Sequence, residues 1–245
     1  MSGRFNENTR VQVPAAIHLC RLGYTYIDHI DSADYDSSTN ILINEFKSSI
    51  LRLNPDLTEQ EADLRVNDII QSAKNDDLGR EFYNKIFSVS GYNKISSVSG
   101  VRFIDFENPD NNVWHCTTEF ACENPDTHDT FRPDITCFVN GLPLAFIEVK
   151  KPNNHEGMLA ERERINVRLR TKAFRSFLNI TQLMIFSNNQ EYDSENVVPV
   201  QGAFYAAISK DRAFFNVFRE KNSYIDILRE SGYVDILKDD IQKQI

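Results

Sequence analysis

The sequence predicts an α/β fold in which a mixed central β-sheet is flanked by helices, behind a helical N-terminal region. Three observations carry this. In the first third of the chain, apolar residues recur every three and four positions, which is the helical period. From Val101 the texture changes to short β-rich runs separated by Asn, Asp, Pro and Gly. A basic amphipathic stretch then precedes two more apolar runs, so the order is helices, strands, helix, strand, strand.

Ala15, Ala16, Leu19 and Leu22 place a first helix at about Thr9 to Leu22; Gly23 is set to end it, and Pro14 argues for a late start or a kink. Ile43, Phe46, Ile50 and Leu53 mark a second helix, from about Ile41 until Asn54-Pro55 stops the pattern. Thr58-Glu59-Gln60-Glu61 reads as a capping box that opens a third, running to about Lys74. Ser88-Val89-Ser90-Gly91 returns as Ser97-Val98-Ser99-Gly100, but two copies of a turn-rich tetrad are too few for a repeat architecture and read as loops. Strands are expected at Val101 to Phe106, Val113 to Phe120, Ile135 to Val139 and Leu144 to Val149. After a basic helix at about Met158 to Leu178, two more follow at Leu183 to Phe186 and Ala203 to Ile208. We expect residues 1–210 to form one domain and residues 211–245 a helical segment. Its pattern ends without an obvious stop, which suits a chain continuing into another domain, with a natural terminus as the alternative.

A chain of 245 residues with 41% hydrophobic content can bury a substantial core. No apolar run reaches the roughly 20 residues that span a bilayer, and the polar start MSGRFNENTR lacks a signal-peptide core, so a cytoplasmic, membrane-free protein is expected. Cys20, Cys116, Cys122 and Cys137 have no tight pairing and are expected as reduced, buried thiols. The net charge of −9 excludes a general nucleic-acid coat protein, because phosphate binding relies on Lys and Arg. Any DNA contact must be local, and one strip allows it: Arg162, Arg164, Arg168, Arg170, Lys172 and Arg175, just after Lys150 and Lys151.

The informative stretch runs from Phe131 to Pro152. Asn140-Gly141 between two β-rich runs is a strong hairpin signal. On its second arm Glu148 and Lys150 interrupt apolar residues and, two apart on a strand, point to one face. An isolated Glu-Val-Lys reads as a structural ion pair at a strand end. Pro133-Asp134 on the first arm turns the balance toward chemistry. Hydrolysing a phosphodiester calls for a cation that polarises the phosphoryl oxygen and acidifies the attacking water. Hard Mg²⁺ keeps several waters, so two convergent acids suffice, and Asp134 and Glu148 can be those acids. Lys150 can orient the water and steady charge on the phosphate, with the Val149 carbonyl as a further ligand.

Register supplies a test. If Asn140 and Gly141 formed a plain two-residue loop, Val139 would face Leu142 and Asp134 would face Ile147, placing Asp134 and Glu148 on opposite faces. A three-residue turn or a β-bulge puts them on the same face, and Pro143, which cannot donate to a ladder, is compatible with such an irregularity. We expect the odd-length connection or the bulge.

Pro133-Asp134 followed by Glu148-Val149-Lys150 resembles the PD-(D/E)xK nuclease motif. Arg132-Pro133-Asp134, Asn140-Gly141-Leu142-Pro143-Leu144 and Ile147-Glu148-Val149-Lys150-Lys151-Pro152, with Asn179 to Asn188, resemble the N-terminal nuclease domain of the type I restriction enzyme R subunit. The resemblance runs from about residue 5 to 210 and is specific between Arg132 and Pro152. It implies a restriction-endonuclease-like core, Mg²⁺-dependent cleavage of double-stranded DNA, and ATP-driven translocation domains further along the subunit; no Gly-x-x-x-x-Gly-Lys-Ser/Thr loop occurs in these residues. It also implies specificity and modification (methyltransferase) subunits as partners. Related nucleases place another carboxylate on the first helix, where Glu7 is a loose match and equally reads as an exposed helix-start Glu. They place Gln or Tyr on the helix after the Lys strand; here the pattern departs, and Glu161, Asn166 and Arg170 are the polar residues available.

The basic helix offers Arg164, Arg168 and Arg175 near one stripe and Leu169, Ala173, Phe174 and Phe177 as an apolar face. Its charges read as solvated surface or, with Lys151 and Arg170, as contacts to the DNA backbone. His115, Cys116, Cys122 and His128 lack the close pairs of zinc sites and read as core or loop residues. His155 reads either as a DNA-side residue or as a loop cap. Two other functions stay open at this level, a stand-alone nuclease of the same fold in repair or defence and a non-catalytic DNA or subunit docking module.

Overall fold

A computed structural model describes residues 11–87, 100–124, 127–150, 155–170, 172–187 and 203–206. In chain order the elements are α1 (Val13–Arg21), β1 (Thr25–Tyr26), α2 (Ile43–Leu53), α3 (Glu59–Ala73), α4 (Arg80–Phe87), β2 (Trp114–Thr118), β3 (Cys122–Glu123), β4 (Thr130–Phe131), β5 (Ile135–Val139), β6 (Leu142–Val149), α5 (His155–Arg170), α6 (Arg175–Ile180), β7 (Leu183–Ser187) and β8 (Ala203–Ala206). The α/β architecture expected from the sequence is the one formed. A six-stranded sheet runs β1-β2-β5-β6-β7-β8, and β3 and β4 form a separate pair. The large sheet is mixed: β1/β2 and β6/β7 are parallel, and the other neighbours are antiparallel.

Side-chain alternation along β5, β6 and β7 divides the core. Ile135, Cys137, Ile147 and Val149 pack with Val11 and with Ala15 and Leu19 of α1. On the opposite face Phe146, Met184 and Phe186 meet Phe131, Ile165 of α5, and Phe177 and Leu178 of α6. The helical front end, α2 to α4, closes over the hairpin end of the sheet, where Phe46, Ile50, Val66, Ile69 and Phe82 bury Val139 and Leu142.

The first helix starts late, at Val13, so Pro14 falls in its first turn, where a missing N–H costs little. The Thr58 capping box forms: its N–H donates to Glu61 Oε2 at 2.8 Å, and its hydroxyl accepts from the Glu61 N–H. The structure departs from the sequence reading in several places, two of them here. Helix α4 has no counterpart in the sequence reading; it is short, and only Phe82 and Ile86 of it are buried. The run Val101 to Phe106 forms no strand, because Asn54 takes both backbone partners of Arg102, donating to its carbonyl and accepting from its N–H at 2.7 Å each. Val101, Phe103 and Ile104 are buried all the same. The second tetrad is described only at Gly100, and residues 88–99 and 211–245 lie outside the described residues, as does the helical segment expected there.

The hairpin turn is where the front end and the sheet interlock. Asn140 and Gly141 both have positive φ, 51° and 81°, the two-residue turn that Asn-Gly favours. Asn140 is fully buried, and its side chain is saturated. Its Oδ1 accepts from the Val113 N–H at 2.8 Å and from Arg52; its Nδ2 donates to the Phe103 carbonyl and to Asn112 Oδ1. A Cβ on Gly141 would lie 2.7 Å from the Leu42 carbonyl oxygen and 2.8 Å from the Phe46 nitrogen. Both obstacles are backbone at the start of α2. Gly141→Ala should therefore destabilise the fold by about 3 kcal/mol, combining left-handed strain with overlap. Urea unfolding of the two proteins checks this, and a loss below about 1 kcal/mol would contradict the account.

Candidate active site

The turn is a plain two-residue one, with Val139 opposite Leu142, yet farther along the pairing is Cys137 with Ala145, Thr136 with Phe146 and Ile135 with Ile147. Pro143 and Leu144 together oppose Phe138, so of the two expected irregularities the bulge is the one that forms. One step past Ile135 and Ile147, Asp134 comes opposite Glu148. The contact that locks this is direct: Asp134 Oδ2 accepts the Val149 N–H at 2.7 Å. The Asp134 carbonyl is held as well, by the Glu119 N–H at 3.1 Å and by Gln12 Nε2 at 2.8 Å. Gln12 is itself buried and also donates to Glu119, which pairs with Arg132. Nothing in the sequence pattern marks Gln12.

Glu148 is 5% exposed and shares the face of Phe146, toward α5. Burial first, then the charges of Asp134 and Glu161, push its carboxyl up to about 9, against a downward pull from Lys150. A side-chain hydrogen bond with Asp134 adds to the rise of Glu148. Lys150 is bound to its place by an N–H bond to the Ser187 carbonyl of β7, and its Nζ donates to the Val149 carbonyl at 2.9 Å. Glu161 of α5 also lies close to that Nζ, with Oε2 at 3.4 Å. The three residues singled out by the motif thus converge, and a third acid joins them. Glu161 was legible only as an available polar residue, because helical spacing does not separate a buried acid from an exposed one.

A small hard cation is what this set could hold, since it prefers oxygen ligands and one or two carboxylates with retained water. Among the described residues no group of three or more His, Cys, Asp and Glu is arranged for a metal, so the donors available are the Asp134 and Glu148 carboxyls with the Val149 carbonyl. That carbonyl already accepts from Lys150 Nζ and would serve through its second lone pair. A carboxyl pair that retains a proton at neutral pH suits a site whose missing charge a cation can supply. Thiol chemistry has no place here: burial pushes Cys116, Cys122 and Cys137 up to about 12. All four cysteines are free, and Cys20, contrary to expectation, is exposed.

The expected basic helix is in fact two. Helix α5 ends at Arg170 and α6 begins at Arg175, separated by a turn in which Phe174 is left-handed, φ 59°, and buried with Phe131 and Phe177. Arg175 consequently leaves the proposed stripe and pairs with Asp76, after α3. Arg164 is 60% exposed and binds Glu161 Oε2 at 3.0 Å. The Arg168 guanidinium lies 4.1 Å from the Phe131 ring centroid; burial lowers its pKa, opposed by Glu161 and Glu148. Glu7, Lys151 and the Arg170 side chain lie outside the described residues and side chains.

Residues 4–193 match the family described as type I restriction enzyme R protein N terminus. Over 171 residues the chain is 30% identical to a putative type I restriction enzyme MjaIXP endonuclease subunit of Methanocaldococcus jannaschii, covering 63% of this chain and 16% of that protein. Over 130 residues it is 28% identical to the type I restriction enzyme HindI endonuclease subunit of Haemophilus influenzae, covering 48% of this chain and 12% of that one. The chain therefore spans about a sixth of the relatives' length or less. Among the described residues no helix is long and apolar enough to cross a membrane.

The position of Glu148 has a measurable consequence. With a folded pKa raised from 4.5 to about 9, the native state keeps a proton that the unfolded chain releases. Its contribution is full below about pH 4.5 and is lost as pH rises toward 9. In metal-free buffer, stability should fall by on the order of 1–3 kcal/mol between about pH 5 and about pH 8 through this group. Glu148→Gln, neutral throughout, should flatten that part of the slope. Urea midpoints of both proteins across the range are the measurement, and parallel curves would remove Glu148 as the cause.

Proposed function

The chain belongs to the family of type I restriction enzyme R protein N termini, and from this membership we propose that it is the Mg²⁺-dependent, DNA-cleaving domain of such an R subunit. The observation that carries the reading is the bulge at Pro143 and Leu144, which brings Asp134 opposite Glu148 and beside Lys150 on one face. The named relatives are endonuclease subunits, which supports the same reading.

In this reading Asp134 and Glu148 hold the cation, and the Val149 carbonyl adds a third oxygen. When bound, the cation polarises the phosphoryl oxygen of double-stranded DNA and acidifies the attacking water. Glu148 must release its proton to serve as a ligand, so cation and proton compete at this carboxyl. Lys150, held at the end of β6 by its N–H bond to Ser187 of β7, orients the water and offsets negative charge developing on the phosphate. Arg164, and Arg168 beside it, approach the backbone without reading sequence. ATP-driven translocation belongs to the remaining length of the R subunit, while site recognition and methylation belong to specificity and modification subunits.

Asp134→Ala, Glu148→Ala and Lys150→Ala, each in the full-length R subunit of the assembled complex, should lower DNA cleavage by at least about 100-fold. ATP turnover should be retained. Gel analysis of plasmid cutting beside an ATPase assay is the check; undiminished cutting by any of the three would remove that residue from the reaction, and by all three would leave a docking module as the better reading.

A further inference from the structure

We propose that Glu161 is a positioning residue for Lys150, fixing the lysine head group and tying it, through Arg164, to the exposed face of α5. The inference rests on the nuclease reading above. Glu161 is 2% exposed, as deeply buried as Ile165 one turn further along the same helix. A carboxylate so placed needs cationic partners. The side chain has two on the same atom: Oε2 is 3.0 Å from Arg164 Nη1 and 3.4 Å from Lys150 Nζ.

Seen from the lysine, Glu161 is what gives the head group a direction. The Lys150 side chain is only 16% exposed, and its near acceptor, the Val149 carbonyl at 2.9 Å, belongs to the residue directly before it. That bond folds the chain back on itself and gives the head group no direction toward α5. A flexible four-carbon stem lets the amine take many positions. The carboxylate on α5 selects one, above the face where Asp134 and Glu148 meet. A displacement of the order of 1 Å in a group that orients a nucleophile can cost about 100-fold in rate.

The bond geometry also runs outward. Arg164, one turn along the helix, has its side chain 60% exposed while its guanidinium holds the same oxygen that faces Lys150. An anionic phosphate that engages Arg164 therefore pulls on the same carboxylate that places the lysine. Glu161 differs in this from the Asp134 and Glu148 pair, whose carboxyls share a proton and face each other across the hairpin.

The test uses the full-length R subunit in its assembled complex, with Glu161→Gln, close in size but uncharged. Expected is a fall in the maximal cleavage rate of about tenfold or more, with the Mg²⁺ concentration for half-maximal cutting, the ATP turnover and the melting temperature close to those of the unmodified complex. Glu161→Asp, which keeps the charge but withdraws it, should cut at an intermediate rate, and it decides the matter if the Gln variant does not fold. Cutting at the unmodified rate overturns the inference. So does a shift confined to the Mg²⁺ requirement, which would make Glu161 a cation ligand. Asp134→Ala run in parallel separates the two readings: if it cuts normally the nuclease assignment itself fails, whereas if it is dead and Glu161→Gln or Glu161→Asp cuts normally only the positioning role is lost.

Discussion

Opposite Phe138, β6 places two residues, Pro143 and Leu144, where β5 places one. The geometry of the candidate site depends on that single excess residue. The turn beyond it has no freedom to correct the parity, because buried Asn140 saturates its side chain and Gly141 lies against the backbone of α2. A two-residue turn and an uninterrupted ladder would set Asp134 opposite Ile147, and one of the two acids would then point at the apolar cluster under α1. Moving the correction into the strand keeps the tight turn and the shared acidic face together. Pro143 suits the position, since the interrupted ladder does not need the N–H it lacks.

Much of this was open to reading in the residues, and the parts that were not share a cause. The helices α1 to α3, the strands β5 to β7 and the Thr58 cap each carry a local signature of period, breaker or cap. The Asp134, Glu148 and Lys150 set was legible because polar residues interrupt apolar strands beside a turn signal. What stayed hidden was decided by contacts far apart in sequence. Asn54 prevents a strand at Arg102 by taking its backbone partners from 48 residues away. Gln12 grips the Asp134 carbonyl across 122 residues. The division of the basic helix follows from burying Phe174 and Phe177 in one cluster, which an uninterrupted helix with a single stripe of arginines did not anticipate.

The electrostatics of an acidic chain acquire a specific form here. Among the described residues, the cations nearest the site are drawn onto its acids and an aromatic ring. Arg164 and Lys150 converge on Glu161, and Arg168 lies over an aromatic ring within the field of Glu161 and Glu148. Each is partly neutralised by an acid of the same cluster, which limits long-range attraction to any polyanion while keeping the charges in fixed places. Arg175, by contrast, is directed at Asp76, and so joins α6 to the end of α3 instead of adding to a basic stripe.

Fixed places require something apolar to fix them. Helix α5 is held by Ile165, 2% exposed in the cluster with Phe131, Phe146 and Phe177, and Glu161 stands one turn before it on the same side. Phe146 stands two residues before Glu148 on β6, in that same cluster. The distance between the helix acid and the strand acid is therefore set by aromatic packing at their neighbours, which does not change with protonation or with ions. A cluster of like charges cannot hold itself together: loss of solvation on burial, and then repulsion from Asp134 and Glu161, both raise Glu148. The hydrophobic layer between α5 and the sheet supplies the opposing free energy, so packing alone organises the acidic cluster.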